Sequence, residues 1–146
     1  MAKIFRSGAG ELTHGLQFRY RYAYDSRAAG ITVPVVLGSG GAHVELLANV
    51  DTGATFCIFQ RLFAEVLRID VESGRREKLW TANSSFVAFG HEVTIEALGL
   101  QMTTEAFFFK DESLSRNVLG RRGWFDRVRV GLIDHDSTLF LSDYND

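Results

Sequence analysis

The chain is short of several things that would each point to a function. It has one cysteine, Cys57, so no internal disulfide can form, and a reducing compartment, the cytoplasm, is expected. Charge of one sign is not in excess. Sixteen basic and 18 acidic residues leave a net charge of −2, which offers no electrostatic argument for nucleic acid or an anionic membrane. No apolar run approaches the roughly 18 residues of a membrane span, so none is expected, nor is a secretion leader. His14, His43 and His91 show no ligand spacing, and Asp134–His135–Asp136 falls where a turn is expected. No metal site is read, and no cofactor is implied. The only proline is Pro34.

What is present favours one globular domain with a real core: 146 residues, 46% hydrophobic and 23% charged. Fourteen glycines and many β-branched and aromatic residues lean towards β structure. Residues 1–15 are polar and glycine-containing and are expected to be partly ordered at best. Alternation predicts strands at Leu16–Tyr24, at Ile31–Leu37 and at His43–Val50, with a turn at 38–41. Pro34 cannot donate to a ladder and marks an edge position. Leu62, Phe63, Val66, Leu67 and Ile69 fall at helical spacing, which predicts a short helix over Gln60–Arg68. Lys78–Ala82 and Phe86–Phe89 read as a hairpin with Asn83–Ser84–Ser85 at its tip. Glu92–Ala97 and Thr103–Phe109 read as two further strands joined near Gly99. After a loop at 111–117 comes a short strand, Val118–Leu119–Gly120, then one or two helical turns in Arg121–Asp126. Val128–Ile133 and Thr138–Leu141 make a last hairpin around Asp134–Ser137. About eight short strands and one or two short helices suggest a closed or sandwiched all-β domain.

One acid stands out. Asp51 lies in V-D-T-G-A, between the apolar stretches Leu46–Ala48 and Phe56–Phe59, with no Lys or Arg within nine residues on either side. A buried, unpaired carboxylate is costly unless it finds donors or shares a proton. The other candidates have plainer readings. Cys57 sits in an apolar strand and reads as a small buried hydrophobe. Asn83–Ser84–Ser85 fits a glycosylation pattern but reads as a polar loop, and the 38–41 glycines lack the helix that a phosphate cradle needs. The basic stretches at 73–78 and 120–129 read as solvated faces, and Trp124–Phe125 as core.

Asp51–Thr52–Gly53–Ala54, the hairpin at about 78–89, and Val118–Leu119–Gly120–Arg121 occur in an order and spacing that resembles the retropepsin-like aspartic proteases. These are single-domain, dimeric relatives of pepsin. The resemblance covers about Ile31 to Leu141. It implies an all-β, closed barrel-like fold like one half of pepsin, with residues 1–30 an N-terminal extension carrying the 16–24 strand and 31–146 the protease domain. It implies a homodimer in which Asp51 of each copy holds a shared proton and one water, and which hydrolyses a peptide or protein substrate without a covalent intermediate. Thr52 would cross to the partner's backbone, Gly53 would permit the tight turn and aim its N–H at the carboxylate, and Ala54 would keep the floor small. Val118, Leu119 and Gly120 would support the loop, with Arg121 structural near the dimer interface. Trp80, Asn83, Ser84, Ser85 and Phe86 would lie in the flap, whose tip lacks the family's usual glycines. Neither Asp126 nor Asp134, the acids that could serve within one chain, is followed by Thr or Ser and then Gly. The alternative is an inactive dimer of the same fold that binds peptides, and a third reading is an unrelated β-barrel for a small apolar ligand.

Overall fold

The computed structural model describes residues 13–146, so most of the polar segment at 1–15 lies outside the described residues. The described chain runs β1 (Tyr20–Ala23), β2 (Thr32–Ser39), β3 (Ala42–Val50), β4 (Ile58–Phe59), α1 (Arg61–Val66), β5 (Arg75–Trp80) and β6 (Ser85–Ala97). It continues with β7 (Leu100–Phe109), β8 (Val118–Leu119), β9 (Val128–Ile133) and β10 (Thr138–Asp143). Single 3₁₀ turns lie at Val71–Ser73, Phe125–Arg127 and Asp134–Asp136. No helix among the described residues is long and apolar enough to cross a membrane.

Seven strands form one sheet in the order β2-β3-β8-β4-β7-β6-β5, and β2 also pairs with β6. That extra pairing closes six strands into a ring and leaves β5 as the outer arm of a hairpin. The β2–β6 ladder spans Val35–Gly38, so Pro34 lies just beyond it, exposed, where its missing N–H is harmless. A second sheet, β1-β10-β9, forms its own ladder and packs Val128, Leu139 and Leu141 into the main apolar core. Phe18 packs its ring on Phe140 at 5.8 Å, and the Arg19 guanidinium bonds Asp146 at 2.9 and 3.0 Å, so the segment before β1 also lies against the C-terminal strand.

Two apolar clusters result. The larger fills the ring with Val33, Val35, Leu37, Phe59, Ile95, Phe108, Leu119 and Trp124. The smaller holds Ile58, Ala88, Phe107, Phe109 and Val118. The end of β7 feeds both, because successive side chains of a strand point to opposite faces: Phe108 enters one cluster, Phe107 and Phe109 the other. Each fully buried Phe contributes roughly 1.5–3 kcal/mol.

Several boundaries differ from the sequence pattern, for local reasons. The turn narrows to Gly40–Gly41, both at positive φ (54° and 84°), which suits a two-residue hairpin loop. Phe86–Phe89 and Glu92–Ala97 belong to one strand, β6, rather than two. Gly90 is there for space: a Cβ would lie 2.9 Å from Glu105 Oε2 and 3.0 Å from Phe107 Cε1. The hairpin expected at about 78–89 begins at Arg75 and turns at Thr81–Ser84, so Ser85 belongs to β6. Arg121–Trp124 is not helical; the single 3₁₀ turn follows at Phe125–Arg127. Gly123, at φ 103°, directs that stretch, and a Cβ there would meet Glu105 O at 2.9 Å.

Candidate active site

The V-D-T-G-A loop joins β3 to β4, and β8 threads between these two strands. It pairs in parallel with β3 (Asn49↔Val118, Val50↔Leu119) and antiparallel with β4 (Ile58↔Val118). The loop is tied down from below. Asp51 N donates to Leu119 O at 3.1 Å, Arg121 N to Ala54 O at 2.9 Å, and Arg122 N to Thr55 O at 2.8 Å. Within the loop, Ala54 N donates to Asp51 O at 3.2 Å. Asn117 closes the top of the crossing. Its carbonyl accepts from Asn49 N at 2.9 Å, and its side-chain Oδ1 accepts from Gln60 N at 3.0 Å. Gly120 fits under the loop because it has no side chain. A Cβ there would sit 2.2 Å from Phe56 O and 2.9 Å from Ala54 O. The structure therefore brings Asp51, Thr52, Gly53 and Ala54 together with Val118, Leu119, Gly120 and Arg121. Arg121 makes its loop contact through the backbone, and its side chain is exposed.

Asp51 is not the buried, unpaired acid that its neighbours in sequence suggest. Its side chain is 33% exposed, and both oxygens have donors. Gly53 N–H donates to Oδ1 at 2.9 Å, and Arg116 Nη2 donates to Oδ2 at 3.3 Å. Arg116 is 65 residues downstream, at the foot of the loop that leads into β8. No local pattern could have shown this partner. Thr52 and Gly53 are exposed, and Ala54 is half-buried. Asp126 is elsewhere, accepting from Gly123 N at 3.0 Å, and Asp134 bonds the Tyr24 hydroxyl. Cys57, at the base of the loop, is fully buried. Burial pushes its thiol up to about 12, although Gly120 N–H donates to the sulfur at 3.4 Å.

Asp51 opens into a cleft of about 580 Å³, a size that suits a ligand-binding site. Its floor is Asp51, Gly53–Phe56, Ile58 and Val118. Its roof is the β5–β6 hairpin, from Glu77 to Ala82 with Phe86. Among the predicted flap residues, Trp80 and Phe86 line this cleft. Ser84 and Ser85 line a separate hollow with Lys110 and Leu114, and Asn83 lines neither. Thr81 stitches the tip: its N–H donates to Ser84 O at 2.8 Å, and Ser84 N–H donates to its hydroxyl at 3.1 Å. Trp80 is 73% exposed, with Lys78 Nζ 4.7 Å above its ring. Sequence reading missed three charged cleft residues, Glu77, Lys78 and Arg116. Glu77 and Lys78 alternate along β5 in a segment that looks like an ordinary polar strand. Glu77 is held by Arg75.

No family model matches this chain, and no curated protein does. Solved structures do. A retropepsin-like aspartic protease from Rickettsia conorii superposes with a TM-score of 0.60 at 18% identity, over 84% of this chain and 96% of that one. EIAV protease, solved with an inhibitor, superposes with a TM-score of 0.51 at 19% identity, over 65% of this chain and 85% of that one. The chain has the retropepsin-like aspartic protease fold.

Proposed function

We propose that the chain is an aspartic endopeptidase active as a homodimer, with Asp51 of each copy supplying one half of a carboxylate pair. The observation that carries this reading is the position of Asp51: on the floor of a cleft, beneath a hairpin, on a loop braced by a strand threaded between its flanks. Gly53 N–H holds Oδ1 and so fixes which way the carboxylate faces. The loop's exposed crest, Thr52 and Gly53, leaves room for a second copy to face it. Within one chain, the other acid lining the cleft is Glu77, which lies in the roof and is engaged by Arg75.

The chemistry follows from like charges brought close. Two carboxylates a few ångströms apart cannot both ionise comfortably, so they share one proton and titrate as a pair. The ionised member draws a proton from a water held between them. The protonated member polarises the scissile carbonyl, and the water oxygen attacks the carbonyl carbon. The tetrahedral diol collapses as the amide nitrogen takes a proton and the C–N bond breaks. An extended peptide lies between the floor and the hairpin, where Trp80, Leu79 and Phe86 supply apolar contact.

The test is peptide cleavage between about pH 4 and 7 by the purified protein, across a dilution series, with Asp51→Asn alongside. Specific activity falls on dilution below the dimer dissociation constant, and Asp51→Asn abolishes cleavage. Residual activity in Asp51→Asn overturns the reading. A second reading is a peptide-binding dimer without turnover. It is favoured by the Arg116 guanidinium seated on Asp51 Oδ2, where the shared proton and the water would have to be. Peptide binding without cleavage, unchanged in Asp51→Asn, selects it.

A further inference from the structure

The cleft walls mix apolar and polar surface, and each of the charged side chains has a partner of a different kind. Glu77 is held by Arg75, outside the cleft, and Lys78 lies over the Trp80 ring. Arg116 alone is paired with the acid on the floor. Its contact with Asp51 is a single bond of 3.3 Å, and its side chain is 62% exposed. Guanidinium favours two parallel bonds to a carboxylate, and this pair makes one. Gly53 N–H takes Oδ1, so Oδ2 is the oxygen left to face a water or a substrate, and it is the one that Arg116 covers.

We infer that Arg116 is a specificity-determining residue that moves from Asp51 to an acidic side chain of the substrate beside the scissile bond. The inference rests on the reading of the cleft as a peptide site. A neutral peptide has to strip the guanidinium from Asp51 and leave it with water. A peptide carrying Glu or Asp next to the reacting carbonyl offers it a bidentate partner, so the floor acid is uncovered and the peptide anchored in one event. The substrate class is therefore acidic peptides, and in a two-fold dimer one Arg116 would serve each side of the scissile bond. Arg116 is exposed when no peptide is bound, and a charge-assisted pair that the bound peptide shields from water is strong enough for discrimination of about ten- to a hundredfold between Glu and its neutral isostere Gln.

The experiment uses decapeptide pools with Glu or Gln fixed at each position in turn. Cleavage is read as kcat/KM, and binding is read from the part of the tryptophan fluorescence that Trp80→Phe removes, Trp124 being the other emitter. The wild-type protein should favour Glu over Gln by about tenfold or more at a residue flanking the cleaved bond, and less so at high salt. Arg116→Gln should abolish that preference and cleave neutral peptides at least as fast as wild type. Lys78→Gln should retain it. Turnover with no Glu preference, or a preference that survives Arg116→Gln, overturns the inference and leaves the protease reading standing. Binding with an Arg116-dependent Glu preference but no turnover supports the inference and overturns the protease reading. Neither binding nor cleavage of any pool overturns both.

Discussion

Replacing Gly120 by Ala tests the architecture of the candidate active site without reference to activity. The added Cβ would lie 2.2 Å from Phe56 O, 2.5 Å from Phe56 C and 2.9 Å from Ala54 O, all of them backbone atoms. An ordinary contact needs more than about 3.2 Å, so the loop and β8 must separate by roughly 1 Å. That movement stretches the Arg121 N to Ala54 O and Arg122 N to Thr55 O bonds, now 2.9 and 2.8 Å, beyond hydrogen-bonding range. Overpacking of this kind costs about 1–3 kcal/mol. Two weakened bonds add about 0.5–1.5 kcal/mol each. Gly120 is not at positive φ, so alanine's stiffer unfolded chain returns about 0.4–1 kcal/mol. The net destabilisation is about 3 kcal/mol. With a urea m-value of roughly 2 kcal/mol/M, the midpoint should fall by about 1.5 M. The assay is equilibrium unfolding at one fixed protein concentration, since self-association also shifts the midpoint. Gly15→Ala, where a Cβ meets nothing within 4 Å, is the control. A Gly120→Ala midpoint within about 0.3 M of wild type refutes the claim that close approach of Phe56 makes this glycine necessary.

Other outcomes follow from single contacts. Asn117→Ala leaves the part-buried Gln60 N–H without its acceptor and should cost about 1–3 kcal/mol in thermal or urea unfolding, whereas Asn117→Asp keeps an accepting oxygen and should cost less. Cys57 has a folded pKa pushed up to about 12 from an ordinary 9.0, so the native state prefers the neutral thiol. Its contribution is fully present below about pH 9 and is lost as pH rises towards 12, which alkaline unfolding curves of wild type and Cys57→Ala should separate. At pH 8 a thiol reagent should modify Cys57 only through opening of the chain, at least about a thousandfold slower than in denaturant. Trp80→Ala removes a side chain that is 73% exposed, so unfolding should change by less than about 0.5 kcal/mol. If the hairpin covers a peptide, the same variant should raise KM about tenfold or more.

The all-β class and the short helix after the loop were legible because period-2 and period-3.6 spacing survive in short segments such as Thr32–Ser39 and Leu62–Leu67. The pair of motifs around Asp51 and Val118–Gly120 was also legible, since close backbone approach demands small residues at fixed places. Gly120 shows why: nothing with a Cβ fits under Phe56 O. What could not be read was anything that depends on chain returning through space. Arg116 looks like one more loop arginine, and only the threading of β8 puts it against Asp51. The continuity of β6 was missed as well: Phe86–Phe89 and Glu92–Ala97 read as two strands, yet Gly90 between them is a place where Phe107 needs room inside one unbroken strand.

The strand threaded beneath the loop also sets an order of events. Residues 42–59 can form only one flank of the crossing and then the other; the piece between them, Val118–Leu119, is made some sixty residues later. On a growing chain, Asp51 emerges as an ordinary surface acid on an unsupported loop. The Gly53 N–H can orient Oδ1 locally, but the brace from Leu119 and the Arg116 bond to Oδ2 form only when the late segment slots in. Such long-range closure slows assembly, and it separates synthesis of the acid from the bracing of its loop. The chain carries its own delay.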